Sequence, residues 1–439
     1  MRSILKLQSI FLLLLIIFGC TEPDIENPNI ILIMADDMGY ECLGVNGTKE
    51  YKTPILDKLA ENGINITHCI SQPLCTPSRV KLMTGLYNYR NYECFEYLNT
   101  REYTIGEMMK DAGYRTAIAG KWQLNGRAFQ KPGWENINKP FEFGFDEFCL
   151  WQVNKPKSQG ERFADPLIVK NGEEMTGLEN SYGPDVFTDF IIDFIDNNKA
   201  QPFFVYYPMV LVHDPFVPTP DSEAWSDPER RYENDTAYFK DMVEYTDKIV
   251  GRITKKLAEE GLDQNTLLIF TGDNGTHPSI YTNMPGGPYK GGKGKTFDAG
   301  TRVPLVISWP AAIKNPFEYN GLVEFSDFFA TFAELIDQDV NTDGISLLSL
   351  IKGETKTHRK TTFVHYNPVW GNFVPARFIR TLNYKLYQDG RFYNVNLDPR
   401  EKNILDTSRL EGTEKETYNY LKAELFKHEE GDVADQKTW

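Results

Sequence analysis

The stretch NIILIMADDMGY (residues 29–40) is apolar without interruption from Ile30 to Ala35 and then stops at Asp36 and Asp37. An unbroken apolar run, rather than an alternating one, predicts a strand covered on both faces, as in a parallel sheet. Three further runs end the same way. YRTAIAGKWQ reaches Lys121, PFFVYYPMVLVHDPF reaches His213, and NTLLIFTGDNG reaches Asp273-Asn274-Gly275. Helical segments lie between them. TPILDKLAENG has Thr53 in the cap position, Pro54 at the first helical position and Gly63 at its end, and TIGEMMKDAG repeats that logic. DVFTDFIIDFIDNN and AYFKDMVEYTDKIVGRITKKLAEEG carry apolar residues at helical spacing. Strand alternating with helix predicts an α/β fold with a mostly parallel central sheet and helices on both faces. Sites in such sheets form beyond the carboxyl ends of the strands, where all four polar clusters fall.

Seen singly, each cluster has an ordinary structural reading. Asp-Asp caps helices, Asp-Asn-Gly makes turns, and a lone His or Lys is a core or solvated residue. Together the acidic clusters supply three carboxylates and an amide carbonyl. Hard oxygen donors suit Ca²⁺ or Mg²⁺ rather than zinc, which takes His and Cys.

QPLCTPSRVKLMTG (residues 72–85) sets Cys75 at the head of a predicted amphipathic helix, where free N–H groups and the helix dipole favour negative charge. By itself the position also suits a half-cystine or an inert thiol. The glycine-rich basic stretch GGPYKGGKGKTFDAGTRVP (residues 286–304) approaches a phosphate-binding loop, but Gly294 follows Lys293 where Ser or Thr would hold the metal. A flexible surface loop is the competing reading.

The chain has 439 residues, enough for a large core, and a formal charge of −15, which argues against nucleic acid or an anionic membrane surface as the main partner. An anionic substrate must therefore be held by a local group of cations. The start, MRSILKLQSIFLLLLIIFGCTEPD, has Arg2 and Lys6, an apolar run from Ile10 to Phe18 and then Gly19-Cys20. That run is too short to span a bilayer and fits a signal peptide. The expectation is a lipoprotein-type signal over residues 1–19, a lipidated Cys20, a tether over 20–28, and export to the periplasm or outer membrane. Plain secretion is the competing expectation. Cys42, Cys69, Cys94 and Cys149 then allow zero, one or two disulfides.

Taken together, these residues resemble the formylglycine-dependent sulfatases of the alkaline-phosphatase superfamily. Cys75-Thr76-Pro77-Ser78-Arg79 matches the signature Cys-x-Pro-Ser-Arg. Asp36-Asp37, Gly120-Lys121-Trp122, His213-Asp214-Pro215, Asp273-Asn274-Gly275 and Lys293 follow in family order, and GRFYNVNLDPREKN resembles part of the family's small C-terminal subdomain. The resemblance implies that a maturase oxidises Cys75 to formylglycine, whose gem-diol attacks sulfur. It further implies that Asp36, Asp37, Asp273 and Asn274, with the modified residue 75, hold calcium, magnesium being the less favoured ion. Arg79 would orient the nucleophile, Lys121 and Lys293 would bind sulfate oxygens, and His213 would protonate the leaving alcohol. One position departs from the family. GKWQLN places Gln123 where the family has a histidine that helps release sulfate; an amide is no base at neutral pH, but it can hydrogen-bond a hydroxyl, and Gln123 is expected to bind substrate together with Lys121, His213 and Lys293.

The expected activity is sulfate-ester hydrolysis on a sulfated carbohydrate, exo-acting on the end of a glycan. Two alternatives remain at this point: a phosphonate or phosphate ester hydrolase on the same scaffold, and a lipoprotein that binds sulfated glycans without cleaving them. Trp151, Arg162, His365, Trp370 and Arg377 lie in segments that could line a sugar pocket. The catalytic domain is expected over 29–339. A C-terminal α+β subdomain follows over 340–439, with short strands around TFVHY, RFIRT, YKLYQ and RFYNV, and a closing helix in GTEKETYNYLKAELFKHEEG.

Overall fold

The structure, a computed structural model, describes residues 27–428. The expected signal peptide, Cys20 and most of the tether lie outside the described residues. No helix among the described residues is long and apolar enough to cross a membrane.

The strands are β1 (Asn29–Ala35), β2 (Ile64–Ile70), β3 (Arg115–Lys121), β4 (Glu147–Trp151), β5 (Ile168–Lys170), β6 (Glu173–Glu174), β7 (Phe203–Pro208) and β8 (Thr266–Gly272). After them come the hairpin β9 (Tyr281–Met284) and β10 (Gly287–Lys290), then β11 (Arg302–Ser308) and β12 (Phe317–Glu324). A ten-stranded sheet has the order β12-β2-β11-β8-β1-β7-β3-β4-β5-β6. β1 pairs in parallel with both β7 and β8, and β3 pairs in parallel with β7 and β4. Antiparallel pairing enters only with β11 on one side and β5 and β6 on the other. The predicted α/β fold with a mostly parallel central sheet is the observed one.

The apolar run of β1 splits by alternation. Ile30, Leu32 and Met34 enter one core, and Ile31, Ile33 and Ala35 enter the other. The helices are α1 (Pro54–Glu61), α2 (Cys75–Thr84), α3 (Asn88–Asn91), α4 (Ile105–Asp111), α5 (Gly183–Asn198), α6 (Tyr238–Glu259), α7 (Asp298–Thr301), α8 (Ser326–Leu335), α9 (Leu348–Ile351) and α10 (Gly412–Phe426). Helices α2, α4 and α8 close the first core, and α1, α5 and α6 close the second. At α4 the predicted cap is a full capping box between Thr104 and Glu107. At α1 the Thr53 hydroxyl instead accepts from Gly44 N and donates to Asp57, so it does not bond the helix backbone as the sequence suggested. The carboxylate of Asp247 on α6 takes the α1 N–H groups of Ile55 and Leu56, at 3.1 and 2.8 Å.

A four-stranded antiparallel sheet follows: β13 (Thr362–Tyr366), β14 (Ala376–Arg380), β15 (Tyr384–Tyr387) and β16 (Phe392–Asn394). One face meets the large domain, with Val364, Tyr366, Phe378 and Tyr387 packing against Ile70, Leu74 and Cys75. The other face packs on α10 through Leu421 and Leu425. Residues early in the 340–439 segment belong to the large core, since Leu347, Leu348, Leu350 and Ile351 pack into it.

Three local expectations need correction. Helix α2 is not amphipathic, because all ten of its residues are buried between the central sheet, α8 and the C-terminal sheet. Its polar residues point to buried partners instead of to water. β7 ends at Pro208, so His213 sits in the loop beyond the strand rather than at its tip. The stretch 286–304 is not one flexible loop. It contributes β10 of a hairpin, the turn holding Lys293, the short α7 and the start of β11.

Candidate active site

β1, β3 and β8 all end on the same side of the sheet, and the loop after β2 delivers α2 there. The site therefore gathers residues far apart in sequence. Asp273 Oδ1 accepts from Asp37 N at 2.9 Å, and Asp273 O accepts the Ser78 hydroxyl at 2.5 Å. Arg79 donates to Lys121 O at 2.9 Å and lies 3.4 Å from Asp273 Oδ2 and 3.9 Å from Asp36 Oδ1. Lys121 Nζ is 2.7 Å from Asp36 Oδ2. Gly120 lets β3 deliver that lysine. Its φ is +110°, and a Cβ there would lie 2.1 Å from Pro208 O.

Cys75 is the first residue of α2 and is buried. Its Sγ faces Gln123 Oε1 at 3.7 Å. Gln123 Nε2 in turn donates to Glu96 Oε1 at 3.3 Å, where Gln152 Nε2 also arrives at 3.0 Å, and Arg127 reaches Glu96 Oε2 at 3.4 Å. A carboxylate only accepts, so Glu96 fixes the amide with its NH₂ outward and its carbonyl toward residue 75. Asp37, Glu96, Gln123 and Gln152 all have φ near +60°. Left-handed backbone at four non-glycine residues around one pocket is the kind of strain that clusters at functional sites.

Lys293 Nζ lies 2.5 Å from Asp37 Oδ2 and 2.9 Å from His213 Nε2. His213 Nδ1 faces Asp214 O at 2.6 Å and Asp214 Oδ1 at 3.0 Å. Arg162 Nη2 also lies 3.1 Å from Nδ1, so Nδ1 meets a donor as well as two acceptors, while Nε2 meets the Lys293 ammonium, an arrangement that suits a neutral ring accepting at Nε2. Burial and Lys293 hold its pKa below the ordinary imidazole value, although Asp37 and Asp36 oppose them. Burial also raises the Cys75 thiol, with Asp273 and Asp36 adding to the rise. Asp36 and Asp273 diverge. Burial pushes both up, but Lys121, His213 and Arg79 bring Asp36 below the ordinary carboxylate range, while the charge on Asp36 keeps Asp273 above it.

This acid-rich centre fits a divalent cation. Ligand atoms of Asp36, Cys75 and Asp273 lie within 4.8 Å of one another. Asp36 Oδ1 and Asn274 Oδ1 are buried without a hydrogen-bond partner, while Asn274 Nδ2 is occupied by Asp37 Oδ1 at 2.8 Å. Orphaned oxygens of this kind are costly to bury, and the carboxylate and amide oxygens gathered here are hard donors of the kind that hold a divalent cation.

Above the centre opens a cavity of about 400 Å³ lined by Cys75, Lys121, Gln123, His213 and Lys293 together with Trp151, Arg162 and Trp370. The structure thus brings together Asp36, Asp37, Cys75, Arg79, Lys121, Gln123, His213, Asp273, Asn274 and Lys293. It does not bring His365 or Arg377 there. These two pair with each other at 2.7 Å across β13 and β14. Pocket residues that the sequence reading missed are Leu74, Phe95, Glu96, Arg127, Gln152, Lys157 and Phe373. Most come from irregular loops with no strand-end signature, and the stacking of Phe95 on Trp370, with centroids 5.0 Å apart, depends on a contact across the whole chain.

Comparison with known proteins bears on this geometry. The family model described as Sulfatase matches residues 28–338, and one described as N-sulphoglucosamine sulphohydrolase, C-terminal, matches residues 292–430. An N-acetylgalactosamine-6-O-sulfatase of Bacteroides thetaiotaomicron is 27% identical, over 92% of this chain and 96% of that protein. The N-acetylgalactosamine-6-sulfatase of Mus musculus is 31% identical, over 76% of this chain and 68% of its own length. Among solved structures, Ps i-CgsB in complex with k-i-k-neocarrahexaose superposes with a TM-score of 0.75 at 26% identity, covering 93% of this chain and 94% of that one.

Proposed function

The chain belongs to the sulfatase family, and from that premise we propose that it hydrolyses sulfate esters on a sulfated carbohydrate of the glycosaminoglycan type, acting on a glycan end. The observation that carries the reading is the convergence, around Cys75, of the buried oxygens of Asp36, Asp273 and Asn274 and the ammonium groups of Lys121 and Lys293. Negative charge builds on the sulfuryl oxygens and on the leaving oxygen during transfer, and fixed cations in a water-poor pocket stabilise it most.

Asp36, Asp37, Asp273 and Asn274 would hold the ion, which supplies Lewis-acid polarisation when bound. Residue 75, if oxidised by a maturase, would supply the nucleophilic oxygen, and the N-terminus of α2 together with Arg79 would hold it in place. Lys121 and Lys293 exchange their carboxylate partners for sulfate oxygens. Lys293 keeps its proton, since its pKa is raised while that of His213 is lowered, and His213 would take a proton at Nε2 from solvent and pass it to the departing alkoxide. Its lowered pKa makes the imidazolium a ready donor, and Asp214 keeps the ring oriented. Gln123, held by Glu96, accepts a hydrogen bond from the residue 75 side chain and fixes its rotamer. With no imidazole at position 123, the proton that the remaining hydroxyl would lose as sulfate leaves would go to another base, Asp273, whose pKa is raised by burial and by Asp36.

We further propose that the protein is exported and anchored through lipid on Cys20. Labelling with a fatty-acid analogue should mark wild type and spare Cys20→Ser. The activity test is sulfate release from a panel of sulfated mono- and disaccharides, 6-O-sulfated N-acetylgalactosamine among them, with matched aryl sulfate and aryl phosphate. The protein used should have its Cys75 conversion confirmed by peptide mass. Sulfate release with little phosphate release supports the reading, and the reverse preference overturns it.

A further inference from the structure

β12 forms one edge of the ten-stranded sheet and pairs only with β2, apart from a bridge between Leu322 and Arg359. In front of that bridge, the first half of β12 and the turn over 351–360 enclose a groove of about 920 Å³. It lies at the opposite end of the parallel strands from Cys75. Seven residues of strand rise and four interstrand spacings put it on the order of 30 Å away.

The charge of this groove opposes that of the chain. Lys314, Lys352, Lys356 and Lys360 line it and are exposed, and among the described residues none of the four is in an ion pair. One carboxylate, Glu318, also lines it. Arg359 and His358 turn inward to Asp327 and leave the lysines as the outward charge. The groove is concave, with apolar surface from Phe317 and from Leu382, which is 37% exposed. The edge of β12 leaves backbone N–H and C=O groups unpaired by another strand. On a protein of net charge −15, a cationic groove with apolar walls and free backbone donors and acceptors is not explained by general solubility.

We propose that this groove is a second binding site, separate from catalysis, for an extended sulfated polysaccharide. Its lysines meet sulfate groups along the chain, and the apolar wall meets sugar-ring faces. A flat anionic membrane would not need a concavity. Choosing a glycan among polyanions rests on the proposed sulfatase activity, but occupancy of the groove does not. The site would retain a long polymer near the enzyme while the catalytic pocket works on free ends.

The test uses the full chain carrying Cys75→Ala, so that no probe is consumed, with chondroitin sulfate and carrageenan as probes. Salt-sensitive binding is expected for at least one probe. It should weaken at least tenfold in the Lys314→Ala, Lys352→Ala, Lys356→Ala, Lys360→Ala combination and at least tenfold on desulfating the polymer. In the otherwise wild-type enzyme the same four substitutions should leave kcat/KM on a sulfated monosaccharide within about twofold. The proposal fails if the fourfold variant binds as well as its parent, or if polyglutamate or phosphatidylserine vesicles bind at least as tightly as the sulfated polymers. It also fails if neither probe binds. A wild-type protein that releases no sulfate would refute the catalytic reading while leaving the groove's binding measurable.

Discussion

Helix α2, which carries Cys75, is clamped to the C-terminal half of the chain by a buried ionic cluster, and removing its central cation gives a sharp prediction. Arg359 Nε lies 2.9 Å from Asp327 Oδ2, and the guanidinium also reaches Asp327 Oδ1 and Glu324 Oε1. Lys81 of α2 completes Glu324 at 2.5 Å and bonds Phe363 O at 3.1 Å, so α2, β12, α8 and β13 meet at one point. Both carboxylates are fully buried. Breaking a buried pair from one side costs about 3–5 kcal/mol, because the remaining charge is stranded. Lys81 and Tyr87 still serve Glu324, and His358 still serves Asp327, which places Arg359→Met near the lower end, at about 3 kcal/mol. With an unfolding entropy near 2.1 cal/mol/K per residue over roughly 400 residues, that is a fall in Tm of about 4 °C.

The pH dependence of that fall is an independent check. Burial raises the pKa of Asp327, but Arg359 and His358 overcome this and hold it below the ordinary carboxylate range. A depressed native pKa contributes stability that is present above the unfolded value and is lost as pH falls through the native one. The gap between wild type and Arg359→Met should therefore be full at pH 7 and shrink below about pH 4. Calorimetry at both pH values measures it. A fall under about 1 °C at pH 7, or a gap that does not change with pH, would refute the clamp.

Other consequences are direct. Asp247 is pushed up to about 6 by burial, so its contribution is present at acid pH and lost as pH rises from about 4 through 6. Asp247→Asn should gain Tm on wild type between pH 4.5 and pH 7.5, and parallel curves would remove the explanation. Chelation should abolish sulfate release and lower Tm, with calcium restoring both; a chelated enzyme of unchanged Tm would contradict the orphaned oxygens of Asp36 and Asn274 as ion ligands. Lys121→Ala and Lys293→Ala should each cost on the order of 10²–10³ in kcat, read from sulfate release, and losses below tenfold would show that neither holds charge in the transition state. Gln123→His should add an imidazole-range limb to the pH–rate profile. A profile identical to wild type would mean that position 123 does not touch the reacting side chain.

The sequence made the sheet legible because burial on both faces leaves an unbroken apolar run, as in β1, and because polar residues interrupt such runs only where the chain leaves the sheet. Asp36, Lys121 and Asp273 were found by that logic. His213 was found through its motif, although its strand ends at Pro208. Glu96 and Gln152 were not legible. Their roles come from left-handed backbone in irregular loops and from hydrogen bonds to Gln123 and Arg127, and nothing in their neighbours' composition signals either. The complete burial of α2 was missed for a related reason. An amphipathic helix was expected, and the buried partners of Arg79 and Lys81, Asp273 and Glu324, come from about two hundred residues away. Long-range pairing also hid the separation of His365 and Arg377 from the pocket, since both sit on the C-terminal sheet.

The most direct measurement is sulfate release from a sulfated sugar by two preparations compared side by side: wild type with residue 75 shown by peptide mass to be converted, and Cys75→Ala. Turnover by the first and a rate at least a thousandfold lower for the second is the predicted result. Equal rates would contradict it, because the side chain at position 75 would then not be the group that attacks sulfur.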